Sequence, residues 1–169
     1  MYILGLTTLG DSAAAIIKDG RLIAAAEEER FSRKKHHSGF PYESIEYCLD
    51  EAGIRLKDIE HVGHYWKPWI LRHKVMQAAK AALVSTSMFK ARADRGFTQV
   101  SESYLGMFKH PQRLRERFGP SDFKFHYVEH HQSHAASAFF VSPFDRAAIL
   151  TWDGTGEDTT TLSLPTLLS

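Results

Sequence analysis

The sequence lacks several features that would assign it to a broad class of protein. It has one cysteine, Cys48, so no disulfide can form within the chain. It has no apolar run of about 18 residues, as a spanning helix needs, and its start lacks the regions of a signal peptide. Its 21 basic and 20 acidic residues give a formal charge of +1, so neither a nucleic-acid nor a membrane partner is expected. A cytoplasmic globular protein is favoured, with Cys48 as a small buried residue.

Short apolar runs separated by turn residues predict an antiparallel meander at the N-terminus. The three predicted strands are Tyr2–Thr7, Ala13–Lys18 and Arg21–Ala26. Asp19 and Gly20 lie between the second and third runs. This pair closes two-residue hairpin loops because both positions tolerate positive φ.

A helix and further strands follow along the chain. Residues 42–52 place apolar side chains on one helical face, namely Ile45, Cys48, Leu49 and Ala52. Pro41 suits the first turn of this helix and Gly53 its end. The charged residues 27–37 are interpreted as a solvated segment, and residues 68–118 as a helical insertion. Further strands are predicted at Ile59–Tyr65, Phe123–Val128, Ala147–Trp152 and Thr159–Leu164, and a further helix at Ser133–Phe139.

Two histidines carry the strongest local signal for chemistry. His130 and His134 are four residues apart, so on a helix they project from one face. Two neutral imidazoles in that arrangement can bind one divalent cation, although exposed helices also show such pairs by chance. Asp153, at the end of an apolar strand, is the candidate oxygen ligand. Its alternative interpretation is an ordinary turn residue.

Two loops contain residues suited to holding phosphate. The first loop, residues 7–12, offers Thr7, Thr8, Gly10 and Asp11. The second follows Asp153 and offers the backbone N–H groups of Gly154, Thr155 and Gly156. Neither pattern is specific by itself, because a plain hairpin turn explains each of them.

Three separated blocks together resemble the nodulation and antibiotic O-carbamoyltransferases. The first block is Leu4-Gly5-Leu6 with Asp11, Asp19-Gly20 and residues 24–36, continued by Ser38-Gly39-Phe40-Pro41. The second is residues 130–138 with Ser142-Pro143-Phe144, and the third is residues 153–157. The blocks match in order and cover residues 2–50 and 125–161, whereas residues 69–118 carry little recognisable signal.

The resemblance implies an actin-like (ribonuclease H-like) α/β fold. Residues 1–145 would form the first lobe and residues 146–169 the opening hairpin of a second. It implies that the metal, often assigned as iron in such proteins, is held here by His130, His134 and Asp153. It also places Lys35 against the carbamoyl group and gives Asp11 a catalytic role. The family usually has a histidine directly before this aspartate, where this sequence has Gly10.

The activity implied by the resemblance is carbamoyl transfer. ATP and carbamoyl phosphate would give carbamoyl-adenylate, and the carbamoyl group would pass to a hydroxyl of a small-molecule acceptor. Two alternatives stay open. One is a non-catalytic fragment that acts at most as a binding module. The other is a metal hydrolase, which is disfavoured because Gln132 and Ser133, rather than a glutamate base, lie between the histidines.

The resemblance also implies that this chain is truncated. Family members carry a further aspartate ligand in the second lobe and a YrdC-like domain that makes the carbamoyl-adenylate. Pro165 interrupts the last predicted strand, which favours a chain cut short. Residues 1–169 alone are then expected to be inactive and to bind metal weakly, since a ligand is missing. They are also expected to aggregate through exposed strand edges and apolar side chains.

Overall fold

The computed structural model describes residues 1–70, 76, 105–153 and 161–164. The strands are β1 Tyr2–Thr7, β2 Ala13–Lys18, β3 Arg21–Glu27, β4 His61–His64, β5 Lys124–Tyr127, β6 Ile149–Trp152 and β7 Thr161–Leu164. The α-helices are α1 Glu29–Ser32, α2 Tyr42–Ala52, α3 His110–Phe118 and α4 His130–Phe139, and short 3-10 helices span Leu56–Asp58 and Pro68–Ile70. The α/β class predicted from the sequence is confirmed.

Five strands form one mixed sheet in the order β3-β2-β1-β4-β5. β2 pairs antiparallel with both β1 and β3, as the predicted meander requires. β4 and β5 run parallel, because Lys124 N–H donates to Glu60 O and Val128 N–H donates to His64 O at the same offset. β6 and β7 form a separate antiparallel pair. The sheet has the mixed character of the actin-like lobe that the resemblance implied.

The turn between β2 and β3 explains why the antiparallel meander could be predicted from the sequence. Asp19 and Gly20 have φ values of 50° and 80°, and positive φ at both central residues defines the turn that matches strand twist. The register then pairs Lys18 with Arg21 and Ala13 with Glu27, with one irregularity between Ile16 and Ile17.

One core forms where α2 packs on β2 and β3. Its fully buried members include Leu4, Ile16, Ile45 and Cys48, and alternation along each strand sends these side chains to the same face. Burial raises the pKa of the Cys48 thiol to about 11, so the thiol stays protonated near neutral pH. The expectation that Cys48 is a small buried residue is confirmed.

The interpretation of residues 27–37 as a solvated segment is wrong at one position. Glu28 is 3% exposed. Its carboxylate accepts hydrogen bonds from the backbone N–H groups of Glu43 and Ser44, at 3.1 and 2.8 Å, and from the Ser44 hydroxyl at 2.7 Å. These N–H groups lie in the first turn of α2, where no intrahelical acceptor exists. Glu28 therefore caps the N-terminus of α2 from a distant point in the chain. Its negative charge also interacts favourably with the positive end of the helix dipole.

Several predicted boundaries shift by a few residues. α2 has the predicted span, but Pro41 lies at its N-cap instead of in its first turn, and Gly53 ends it with φ 63°. The predicted strands at 59–65, 123–128 and 147–152 are each shorter, and correspond to β4, β5 and β6. Of the predicted insertion at 68–118, the described part includes α3, which Pro111 opens. The other residues of that range, apart from 68–70, 76 and 105–109, lie outside the described residues, as do Thr159 and Thr160.

The chain separates into two compact units. The first comprises Met1–Gly63 and Pro68–His126, and the second comprises His64–Lys67 and Tyr127–Ser169. The predicted lobe boundary at residue 145 remains a prediction. None of the helices in the described ranges has the length and apolar character that crossing a membrane requires.

We predict that Glu28→Gln destabilises the protein by about 1–3 kcal/mol, because an amide cannot accept all three hydrogen bonds and leaves a buried donor unpaired. Urea unfolding followed by circular dichroism measures the change. Glu43→Gln is the matched control, since Glu43 is exposed in the same helical turn and should shift stability by less than about 0.5 kcal/mol. Equal losses in both variants would show that Glu28 does not cap α2.

Candidate metal centre and first loop

The helix that carries the two histidines begins earlier than the sequence indicated. It was predicted from Ser133, but α4 begins at His130, with Glu129 as its N-cap. The Glu129 carboxylate accepts a hydrogen bond from the Gln132 N–H at 2.7 Å, and so satisfies a first-turn donor. Both His130 and His134 are therefore helical and share one face.

Three side chains converge at the end of β6. Nε2 of His130 lies 2.6 Å from Oδ2 of Asp153, and Nε2 of His134 lies 3.3 Å from the same oxygen. The two Nε2 atoms are 3.2 Å apart. The sequence predicted this convergence from the four-residue spacing and the strand-end carboxylate. Its role as a metal centre stays a prediction.

The donor set fits a divalent transition metal. Metal bonds to imidazole nitrogen and carboxylate oxygen are about 2.0–2.2 Å long, so neighbouring ligand atoms in a site are separated by roughly 3.0–3.6 Å. The 3.2 and 3.3 Å separations already lie in this range, whereas the 2.6 Å contact would have to widen. Two histidines and one carboxylate with further positions open are typical of non-haem iron(II) centres. The residues present therefore fit the iron that the resemblance implies.

Aromatic packing fixes the buried member of this set. The His130 side chain is 6% exposed, and its ring centroid lies 4.4 Å from that of Trp66 and 5.4 Å from that of Tyr65. Burial lowers the pKa of His130, although the hydrogen bond with Asp153 opposes that effect. A neutral imidazole is the form that binds metal, so this environment favours coordination at neutral pH.

His131, whose role the sequence did not define, contributes to packing. It is 1% exposed, and its Nδ1 lies 2.8 Å from the Thr151 hydroxyl on β6. Ala135, Phe139 and Ile149 form a small apolar cluster between the same two elements. His131 therefore helps to hold α4 against β6, and that contact positions His130 and His134 relative to Asp153.

The first loop, residues 7–12, is anchored by hydrogen bonds. Thr7 Oγ1 donates to Asp11 O at 2.8 Å, and Gly10 adopts φ 71°. The loop is tied to residues 37–39, because Ser12 Oγ donates to Gly39 O and Gly39 N–H donates to Thr8 O. Thr8 is buried, with its hydroxyl 3.3 Å from Nε2 of His110. Contacts between this loop and phosphate stay a prediction.

The remaining candidate residues fall into two groups. Lys35 is exposed in the segment between α1 and α2. Gly154, Thr155 and Gly156 lie outside the described residues. His36, to which the sequence assigns no role, is brought to the first loop by the fold: its Nδ1 lies 2.9 Å from Oδ1 of Asp11. No local pattern pointed to it, because the pair joins residues 25 apart in the chain.

Comparison with known proteins assigns the chain to a family. The family model described as "Carbamoyltransferase N-terminus" matches residues 2–165. The chain belongs to this family. The chain is 41% identical over 169 residues to the uncharacterized protein sll1178 of Synechocystis, covering 95% of the chain and 26% of that relative. It is 35% identical over 160 residues to the nodulation protein NolNO of Sinorhizobium fredii, covering 89% and 20%. The carbamoyltransferase resemblance is confirmed.

The chain spans about a quarter or less of the length of these two relatives. Among solved structures it is similar to YeaZ from Pseudomonas aeruginosa, with a TM-score of 0.44 and 12% identity over 97% of this chain and 66% of that one.

We predict that His134→Ala and Asp153→Asn each weaken iron(II) or zinc binding by at least about tenfold, since each removes one of three ligands. Isothermal titration of the whole protein that contains this chain, under anaerobic conditions, measures the affinity. Gln132→Ala is the control, because Gln132 is exposed on the same helix and belongs to no ligand set. Unchanged affinity in both ligand variants would rule out this centre.

His64 is a further buried histidine of the second unit. His64 is 0% exposed, and its Nδ1 lies 3.1 Å from the backbone oxygen and 3.3 Å from the backbone nitrogen of Trp66. Burial lowers its pKa from 6.5 to about 4, although the hydrogen bond with Trp66 opposes that effect. Between these two values the unfolded chain binds a proton that the folded chain does not.

We therefore predict that stability falls as the pH drops from about 6.5 towards about 4, by up to about 1.4 kcal/mol per pH unit from His64. Above pH 6.5 this contribution is constant. Urea midpoints at pH 7, 6 and 5 test it against His64→Gln, which should show a shallower decline. Parallel declines in the two proteins would contradict the assignment.

Proposed function

We propose that this chain is part of an O-carbamoyltransferase that moves a carbamoyl group from carbamoyl-adenylate to a hydroxyl of a small molecule. The carbamoyl-adenylate would be made from carbamoyl phosphate and ATP in a YrdC-like domain. Family membership supports the carbamoyl chemistry. The structural observation that carries the proposal is the convergence of His130, His134 and Asp153 on one point.

The three converging residues would bind the metal and hold it in place. A divalent metal held by them would act as a Lewis acid that polarises the carbamoyl carbonyl. His130 is fixed by its packing against Trp66 and Tyr65, so its Nε2 is aimed before any ligand arrives. Asp153 contributes negative charge that offsets the cation, and its side chain is 34% exposed, as is suitable for a group that must face a ligand.

The first loop would contact the phosphates of the nucleotide. The positive φ of Gly10 turns the backbone so that N–H groups of the loop can face an anion. The hydrogen bond from the Ser12 hydroxyl to the Gly39 carbonyl stabilises this turn. Lys35 would place a cation beside the negative charge that develops on the carbamoyl unit. Thr7 fixes the loop through the carbonyl of Asp11.

A second candidate function is a binding module without turnover. The observation that favours it is the apolar face of β6, where Leu150 and Trp152 are 68% and 86% exposed. An exposed apolar strand face is suited to contact with another protein segment. Transfer activity distinguishes the two functions.

We predict that the whole protein containing this chain transfers carbon-14 from labelled carbamoyl phosphate to a hydroxyl acceptor, and that transfer requires ATP. His134→Asn should lower kcat by at least about 100-fold, because carbonyl polarisation contributes several kcal/mol. Gln132→Asn is the matched control and should keep activity. From residues 1–169 alone we expect no turnover. The transferase proposal fails if labelled carbamoyl reaches no acceptor, or if His134→Asn is as active as the parent.

A further inference from the structure

The backbone and side chain of His36 are both held in place. Nδ1 of His36 lies 2.9 Å from Oδ1 of Asp11, and the His36 backbone N–H donates to Oε2 of Glu29 at 3.0 Å. The residue has φ 54°, a left-handed conformation that is uncommon outside glycine. Backbone strain of this kind persists where surrounding contacts enforce it, and it is often found at functional sites.

Both partners of His36 are themselves fixed by hydrogen bonds. The other carboxylate oxygen of Glu29 accepts from Arg30 at 2.8 Å. The backbone carbonyl of Asp11 accepts from the Thr7 hydroxyl at 2.8 Å. An isolated surface ion pair gains little and is held loosely. The His36 ring instead belongs to a connected set of contacts that reaches from the first loop to α1.

The contacts also select which nitrogen of His36 carries the proton. A carboxylate at Nδ1 favours the tautomer with its hydrogen on Nδ1, which leaves the lone pair on Nε2. The side chain is 70% exposed, and within the described residues no group bonds to Nε2. Asp11 raises the pKa of His36, and the charge of Glu29 adds to that effect. Among the described residues, these two carboxylates are the charged groups that act on the ring, and Arg30 hydrogen-bonds to one of them, Glu29.

We propose that His36 is the acid–base group of carbamoyl transfer and that Asp11 is the positioning residue that orients it. This inference rests on the proposed transferase function. It gives Asp11 a role different from that of the direct catalyst predicted from the sequence. The arrangement follows the logic of a carboxylate–histidine pair, in which the carboxylate stays ionised and stabilises the imidazolium.

His36 acts as a general base in this step. Nε2 of neutral His36 takes the proton of the acceptor hydroxyl while that oxygen bonds to the carbamoyl carbon. The bond from the carbamoyl carbon to the adenylate phosphate oxygen breaks, which gives the carbamate ester and AMP. The imidazolium then returns its proton to solvent. Removing the hydroxyl proton at this step is worth about 10²- to 10⁴-fold in rate.

A cation site is the competing interpretation of these residues. Ligand atoms of Asp11, Glu29 and His36 lie within 4.8 Å of one another. However, both Glu29 oxygens already accept hydrogen bonds, one from Arg30 and one from the His36 backbone. A guanidinium on one of the ligands opposes the binding of a second cation. The proton-transfer role is therefore favoured.

We predict that His36→Asn in the whole protein lowers kcat by about 100-fold or more and removes the acidic limb of the pH–rate profile. Asparagine is chosen because it tolerates positive φ. His37→Asn is the matched control, since that neighbouring ring contacts Ser32 instead, and it should keep both the rate and the profile. Asp11→Asn, assayed at saturating ATP, should move the acidic limb to lower pH, because the imidazole then loses the carboxylate that raises its pKa.

A direct measurement of the protonation of His36 accompanies the kinetics. Histidine NMR titration of the whole protein should show a His36 pKa that falls in Asp11→Asn and is unchanged in His37→Asn. Carbamoyl transfer at the parent rate in His36→Asn would overturn this inference while leaving the transferase proposal standing. Stoichiometric zinc binding that persists in His134→Ala but is lost in His36→Asn would also overturn this inference, because His36 would then be a ligand of a separate cation site. Absence of transfer in every protein would overturn both proposals.

Discussion

The buried carboxylate of Glu28 is the interaction on which the first unit depends. It follows β3 directly and caps the first turn of α2, so it brings together the two ends of the segment between them. That segment carries Lys35 and His36, and its later residues bond to the first loop through Ser12 and Gly39. A charge buried at this point is costly unless fully hydrogen-bonded, and its three donors meet that requirement. One carboxylate therefore holds the strand end, the helix start and the residues between them in a fixed relation.

In the second unit, too, a glutamate caps the first turn of a helix, here with a single hydrogen bond. Glu129 caps α4 through the Gln132 N–H, and this places His130 in the first helical position. Because α4 begins there, His130 and His134 are one helical turn apart and meet the same oxygen of Asp153. A helix that began at Ser133 would have left His130 in an extended backbone, with no reason for its ring to face His134.

Features that depend on residues close together in the chain could be predicted from the sequence, whereas features that depend on distant residues could not. The Asp19-Gly20 turn and the periodicity of α2 are local, and both were predicted with near-correct bounds. The spacing of His130 and His134 is also local, and the side chains converge as expected. The start of α4 was missed because glutamate is not among the preferred N-cap residues. Glu28 and His36 were missed because their partners lie 15–16 and 25 residues away, and a charged run is ordinarily solvated.

The pKa values of His130 and His36 are shifted in opposite directions, and each shift suits the role proposed for that histidine. His130 is buried among aromatic rings, and burial lowers its pKa, so the ring stays neutral and its nitrogen is available to a cation. His36 is exposed and faces Asp11, which raises its pKa, so the ring can gain and release a proton near neutral pH. Environments that separate the pKa values of like groups are how one protein assigns different tasks to them. Exchanging these surroundings would disable both histidines. With a raised pKa, His130 would be protonated more readily, and protons would compete with the metal for its nitrogen. If His36 were buried, its positively charged form would be disfavoured, and it could not accept a proton as easily.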